Sequence, residues 1–136
     1  MQSPVETAPE VDARSAVVLV VDDEPAIRRF VVRTLQKDGI SVVEAGDGPS
    51  ALEAFAAEPD RFDALFCDLS LPDVSGEEVV RTVRAARPAL PVVVMTGWDP
   101  GTAAEGIGPV GPLEWLPKPF SISTIQEIIR KVHLAR

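Results

Sequence analysis

The 136 residues allow one domain with one substantial core, and a hydrophobic fraction of 46% is enough to fold it. A net charge of -8 repels phosphate backbones and argues against direct nucleic-acid binding. A single cysteine, Cys67, excludes an intrachain disulfide, and no apolar run reaches the ~18 residues that span a bilayer.

Residues 1–15 read as a polar tail with Pro4, Pro9, Glu6, Glu10 and Asp12. Met1–Arg14 lacks the apolar centre of a signal peptide, so a cytoplasmic location is expected. A compact domain over 16–136 follows. Apolar runs at Val17–Val21, Ser41–Glu44, Ala64–Cys67, Val92–Met95 and Leu113–Leu116 predict five strands. Several are continuously apolar, as parallel strands covered on both faces are.

Helical patterns fill the gaps. Ile27, Phe30, Val31, Val32 and Leu35 recur at helical spacing after Pro25, and Gly39 ends the run. Phe30, Phe55 and Phe62 are expected in the core. Asp47 is placed to cap a second helix, and Ser75 with Glu78 forms a capping box for a third. The fourth segment holds Gly97, Gly101, Gly106, Gly108 and Gly111 with three prolines, so only about 100–106 is expected to be helical. Ser123 and Gln126 repeat the capping signature before Ile125, Ile128, Ile129 and Val132. Five strands alternating with helices predict a doubly wound parallel sheet, whose site lies at the carboxyl ends of the strands.

The residues at those ends are Asp22, Asp23 and Glu24 after the first strand, Asp68 after the third, Thr96 after the fourth and Lys118 after the fifth. Crowded carboxylates repel one another, and a hard divalent cation relieves them; oxygen-only ligands favour Mg2+. An ammonium and a hydroxyl beside such an ion suit a phosphoryl group. A carboxylate there can act as a nucleophile and form an acyl phosphate.

Four stretches, VVDDEP (20–25), FCDLSLPDVSG (66–76), VVMTG (93–97) and LPKPF (116–120), together resemble the receiver domain of two-component response regulators. The resemblance covers about residues 16–135. It implies a flavodoxin-like sheet of order 2-1-3-4-5. It implies that Asp68 accepts the phosphoryl group and that Mg2+ is held by Asp22, Asp23, Asp68 and the Ser70 carbonyl. Thr96 and Lys118 would contact the phosphoryl group, and the bond before Pro119 would be cis. The implied donor is a histidine kinase or a histidine phosphotransfer protein. A monomer or weak dimer would then act through a downstream protein partner or by onward transfer, since the chain ends soon after the last helical pattern.

Departures from the family pattern are specific. Trp115 stands at the switch position, where Tyr or Phe is usual, and Pro117 precedes the lysine. The string EWLPKPF looks more like receivers fused to hybrid sensor kinases. Two other readings compete. One is a small aspartate-nucleophile phosphohydrolase, which would need an acid where Ser70 stands. The other is a phosphorylation-independent binding module. Cys67 reads as inert core, and His133 as a helix-end histidine with a dipole contact or plain exposure.

Overall fold

A computed structural model describes residues 16–134; the expected tail over 1–15 lies outside the described residues. Its elements alternate along the chain: β1 (Val17–Val21), α1 (Pro25–Lys37), β2 (Ser41–Ala45), α2 (Gly48–Ala57), β3 (Ala64–Asp68), α3 (Gly76–Ala86), β4 (Val92–Thr96), α4 (Pro100–Ile107), β5 (Glu114–Pro117) and α5 (Ile122–Lys131). All strand pairs are parallel, in the order β2-β1-β3-β4-β5.

Strand alternation divides the core in two. Leu19, Val21, Leu65, Cys67, Val92 and Val94 point to one face and pack on Ala51, Phe55, Val79, Val80, Val83 and Ile107 of α2, α3 and α4. Val18, Val20, Phe66, Val93 and Met95 point to the other and meet Val31, Leu35, Ile125 and Ile129 of α1 and α5. Every residue of β3 and β4 is buried, which is why those runs carry no polar alternation. The strand order reverses between β1 and β3, the place where doubly wound sheets offer a crevice above the carboxyl ends.

Local signals agree with most boundaries. Pro25 occupies the first turn of α1. The Asp47 side chain accepts from Ser50 N–H at 2.8 Å, and Ser75 Oγ accepts from Glu78 N–H at 3.2 Å. Three details differ from expectation. Phe30 is 37% exposed instead of buried, and its ring stacks on Phe120 with centroids 6.2 Å apart. The α5 cap is Ser121, which accepts from Thr124 N–H at 3.2 Å, two residues before the expected Ser123. His133 lies just past α5, with φ of 59°, and not within its last turn.

The fourth helix forms despite its glycines because both ends are tied. Asp99 caps it, accepting from Thr102 N–H at 3.1 Å, and Gly108 with φ of 87° ends it. Arginines of α3 then hold the last turn of α4, the loop before β4 and the irregular segment after α4. Arg81 donates to the carbonyls of Gly106 and Ile107. The buried Arg84 donates to those of Leu90, Val110 and Pro112 at 2.6–2.8 Å. A glycine- and proline-rich stretch makes few hydrogen bonds of its own, so these guanidiniums supply the donors its carbonyls lack.

Candidate functional site

The β1 run ends at Asp22, whose carboxyl is fully buried. Its Oδ1 accepts from Glu24 N–H at 2.9 Å, and Oδ2 faces the Lys118 ammonium. Asp23 follows and is exposed. On the neighbouring strand, Asp68 is the last residue of β3 and is 3% exposed; its Oδ1 accepts from Ser70 N–H at 3.2 Å. Carboxylate oxygens of Asp22, Asp23 and Asp68 lie within 4.8 Å of one another, close enough to hold one metal ion.

Lys118 reaches this cluster from beyond β5. Its Nζ stands 3.2 Å from Asp22 Oδ2, 3.4 Å from Asp68 Oδ2 and 3.4 Å from Glu24 Oε1. The Lys118–Pro119 peptide bond is cis, and Lys118 N–H donates to the Thr96 carbonyl at 2.8 Å. Thr96 ends β4, buried, with its hydroxyl accepting from Trp98 N–H at 2.9 Å. Trp115 pairs with Val94 and Pro117 with Thr96, so alternation puts the Trp115 and Thr96 side chains on the same sheet face. Trp98 is half exposed.

The electrostatics follow from this crowding. Burial foremost, and then the charge of Asp22, pushes the Asp68 carboxyl up to about 6, against the pull of Lys118 and the Ser70 amide. Asp22 is raised as well, mainly by burial. Burial disfavours the Lys118 ammonium, but Asp68 and Asp22 outweigh it and hold its pKa above the ordinary lysine value. Cys67 is buried next to Asp68, and burial drives its thiol far up, which keeps it protonated and unreactive.

Asp22, Asp23, Asp68 and Lys118 therefore meet at one edge of the sheet, with Thr96 and Ser70 beside them. Arg28 was not among the sequence candidates. Its Nη1 donates to the Asp22 backbone carbonyl at 2.6 Å. Its only sequence signal is its place one turn into the helix that follows the acidic pair, where an arginine ordinarily reads as a solvated charge.

A family profile, the response regulator receiver domain, matches residues 18–130, and the chain belongs to that family. The probable transcriptional regulatory protein TcrX of Mycobacterium tuberculosis is 37% identical over 114 residues, which are 84% of this chain and 48% of that protein. Response regulator MprA of Mycobacterium leprae is 38% identical over 113 residues, 83% of this chain and 49% of that protein. The chain thus spans about half the length of the curated relatives it matches. Among solved structures, chemotaxis response regulator CheY4 of Vibrio cholerae superposes with a TM-score of 0.77 at 34% identity, covering 88% of this chain and 99% of that one. MprA and CheY4 carry the name response regulator and none of the three is named a hybrid kinase, so they lend the expected nearness to hybrid-kinase receivers no support. Among the described residues no helix is long and apolar enough to cross a membrane.

Proposed function

We propose that this receiver domain accepts a phosphoryl group on Asp68 from a phosphohistidine, with Mg2+ held by Asp22, Asp23, Asp68 and the Ser70 carbonyl. The observation that carries this reading is the meeting of three carboxylates within 4.8 Å, with an ammonium 3.4 Å from Asp68 Oδ2. The donor set fits a hard divalent ion: it is all oxygen, and three carboxylates crowd within 4.8 Å. Bound Mg2+ would supply neutralisation of the carboxylates and of the phosphoryl oxygens.

The chain's own residues carry the remaining chemistry. An Asp68 carboxylate oxygen attacks phosphorus, and a new O–P bond forms as the P–N bond to the donor imidazole breaks. The electron pair returns to the imidazole nitrogen, which takes up a proton from water. Lys118 and the Thr96 hydroxyl would meet phosphoryl oxygens, and Trp115, on the Thr96 face, would respond when that threonine moves. The domain catalyses only its own phosphorylation and slow dephosphorylation. Acting in the cytoplasm as a monomer or weak dimer, it passes the signal to a downstream protein partner or relays the phosphoryl group. The transcriptional role in the name TcrX belongs to a protein about twice as long. Nucleic-acid contact by this acidic chain is not part of the proposal.

Radiolabelled acetyl phosphate with Mg2+ tests the assignment: wild type should take up label and Asp68→Asn should not. Label on Asp68→Asn at the wild-type level would overturn it.

A protein donor needs a surface beside the site. Phe30, Ile27, Ala26, Pro119 and Phe120 line an apolar pocket that also includes Lys118. The exposed Phe30 ring is the large anchor it offers. Phe30→Ala is therefore expected to lower kcat/KM for transfer from a phosphohistidine protein about tenfold, the effect of ~1.4 kcal/mol at a contact residue. The rate with acetyl phosphate should not change. An equal loss with both donors would count against this face.

A further inference from the structure

Asp22 is held more tightly than a strand-end residue needs to be. Its N–H donates to the Ala45 carbonyl at 3.2 Å, prolonging the β1–β2 ladder by one step. Its own carbonyl accepts from Arg28 Nη1 at 2.6 Å. Those two bonds belong to the two peptide planes on either side of the Asp22 Cα, so both its backbone torsions are fixed. The second plane is the one that leads to Asp23.

Arg28 is itself anchored. Its Nε lies 3.1 Å from Glu44 Oε1 on β2, and its side chain is only 22% exposed. One guanidinium thus joins α1, β2 and the β1–α1 turn. A planar fork suits this task, because Nε and Nη1 point to separate acceptors at once.

We infer that Arg28 is a positioning residue for the acidic cluster. Asp22, Asp23 and Asp68 repel one another, and the turn carrying the first two would relax outward if its backbone were free. Arg28 pins the peptide between Asp22 and Asp23 and keeps both carboxylates facing Asp68. This inference rests on the Mg2+ site proposed above. Simple charge makes the opposite prediction: a cation near the cluster repels a divalent ion, so its loss would tighten Mg2+ binding.

The test is a Mg2+ titration followed by the NMR shifts of the Asp22, Asp23 and Glu24 amides, in wild type and in Arg28→Met. Methionine keeps the apolar stem and removes the fork. We expect Mg2+ to bind Arg28→Met about tenfold more weakly than wild type. Unchanged or tighter binding in a folded variant overturns the inference, even if its Tm falls, because a purely structural role moves Tm alone. Should Arg28→Met fail to fold, Arg28→Lys carries the test, since its net charge is unchanged while one ammonium replaces the fork. Weaker binding by Arg28→Lys supports the inference and wild-type affinity overturns it. A wild-type chain with no Mg2+ affinity overturns the metal site and this inference together, whereas an intact wild type with unaffected Arg28 variants overturns this inference alone.

Discussion

Gly76→Ala is expected to destabilise the domain by on the order of 3 kcal/mol, the upper end of the usual overpacking cost. Gly76 opens α3, and its N–H donates to the Leu69 carbonyl at 3.2 Å. A Cβ at this position would stand 2.1 Å from the Asp68 carbonyl oxygen and 2.5 Å from the Leu69 Cα. Both are backbone atoms at the end of β3, so no side chain can swing aside. Alanine's better helix propensity, ~1 kcal/mol, opposes the clash but does not match it. Either α3 lifts from the sheet or the Asp68–Ser70 turn moves. In the second case the phosphoacceptor shifts against Asp22 and Lys118, and phosphorylation by acetyl phosphate should fall by on the order of 10²-fold, the usual result of a 1 Å misplacement. Gly97→Ala is the control for stability: nothing lies within 4 Å of its Cβ, and a change within about 0.5 kcal/mol is expected. Urea unfolding of the two variants checks the contrast. Gly76→Ala with wild-type stability would show that the turn yields freely.

The architecture was legible where burial leaves no freedom. β3 and β4 have helices on both faces, so their apolar runs are unbroken and their ends nearly coincide with the predicted ones. Asp22 and Asp68 were legible for a related reason: a charged residue where a fully apolar strand ends has one place to be, the carboxyl edge, whereas Lys118 follows the half-polar β5 and was legible from the stretch LPKPF. Phe30 was misplaced because helical spacing gives the direction of a stripe and not its width. Val31 and Leu35 fill the α1–sheet contact, which leaves Phe30 at the margin against Phe120. The cap of α5 slipped because Ser121 and Ser123 both precede the apolar stripe, and their hydroxyls lie 3.0 Å apart, so sequence alone does not rank them. The fourth helix was legible as a short one because glycine and proline bound it, although the Asp99 cap and the arginines of α3 that tie its ends leave little trace in propensity. Arg28 was missed because its partners are a backbone carbonyl and a residue 16 positions away on β2, neither of which leaves a motif.

The same crowding that prepares the site for a cation should make the metal-free fold less stable at neutral pH. The Asp68 carboxyl, pushed up to about 6 by burial and by Asp22, carries more proton in the folded chain than in the unfolded one, where it titrates near 3.8. A group raised on folding contributes stability that is complete below pH 3.8 and is lost as pH climbs through about 6. Asp22, raised in the same direction, adds to that slope. Asp68→Asn removes the charge and keeps an acceptor for the Ser70 amide. Lys118 loses one partner but retains Asp22 and Glu24. In chelator at pH 7.5, Asp68→Asn is therefore expected to be more stable than wild type by on the order of 1–3 kcal/mol, since each tenfold change in proton affinity is worth ~1.4 kcal/mol. The difference should shrink toward zero at pH 4. Excess Mg2+ should then close or reverse the gap at pH 7.5, because saturation at about a hundred times Kd stabilises the wild type by ~2.7 kcal/mol and a site with one carboxylate removed by less. Thermal unfolding of both proteins, in chelator and in Mg2+ across this pH range, measures all three differences. A metal-free Asp68→Asn that is less stable than wild type at pH 7.5 would mean that Lys118 already balances the buried acids, and that relief of repulsion is not what draws the cation in.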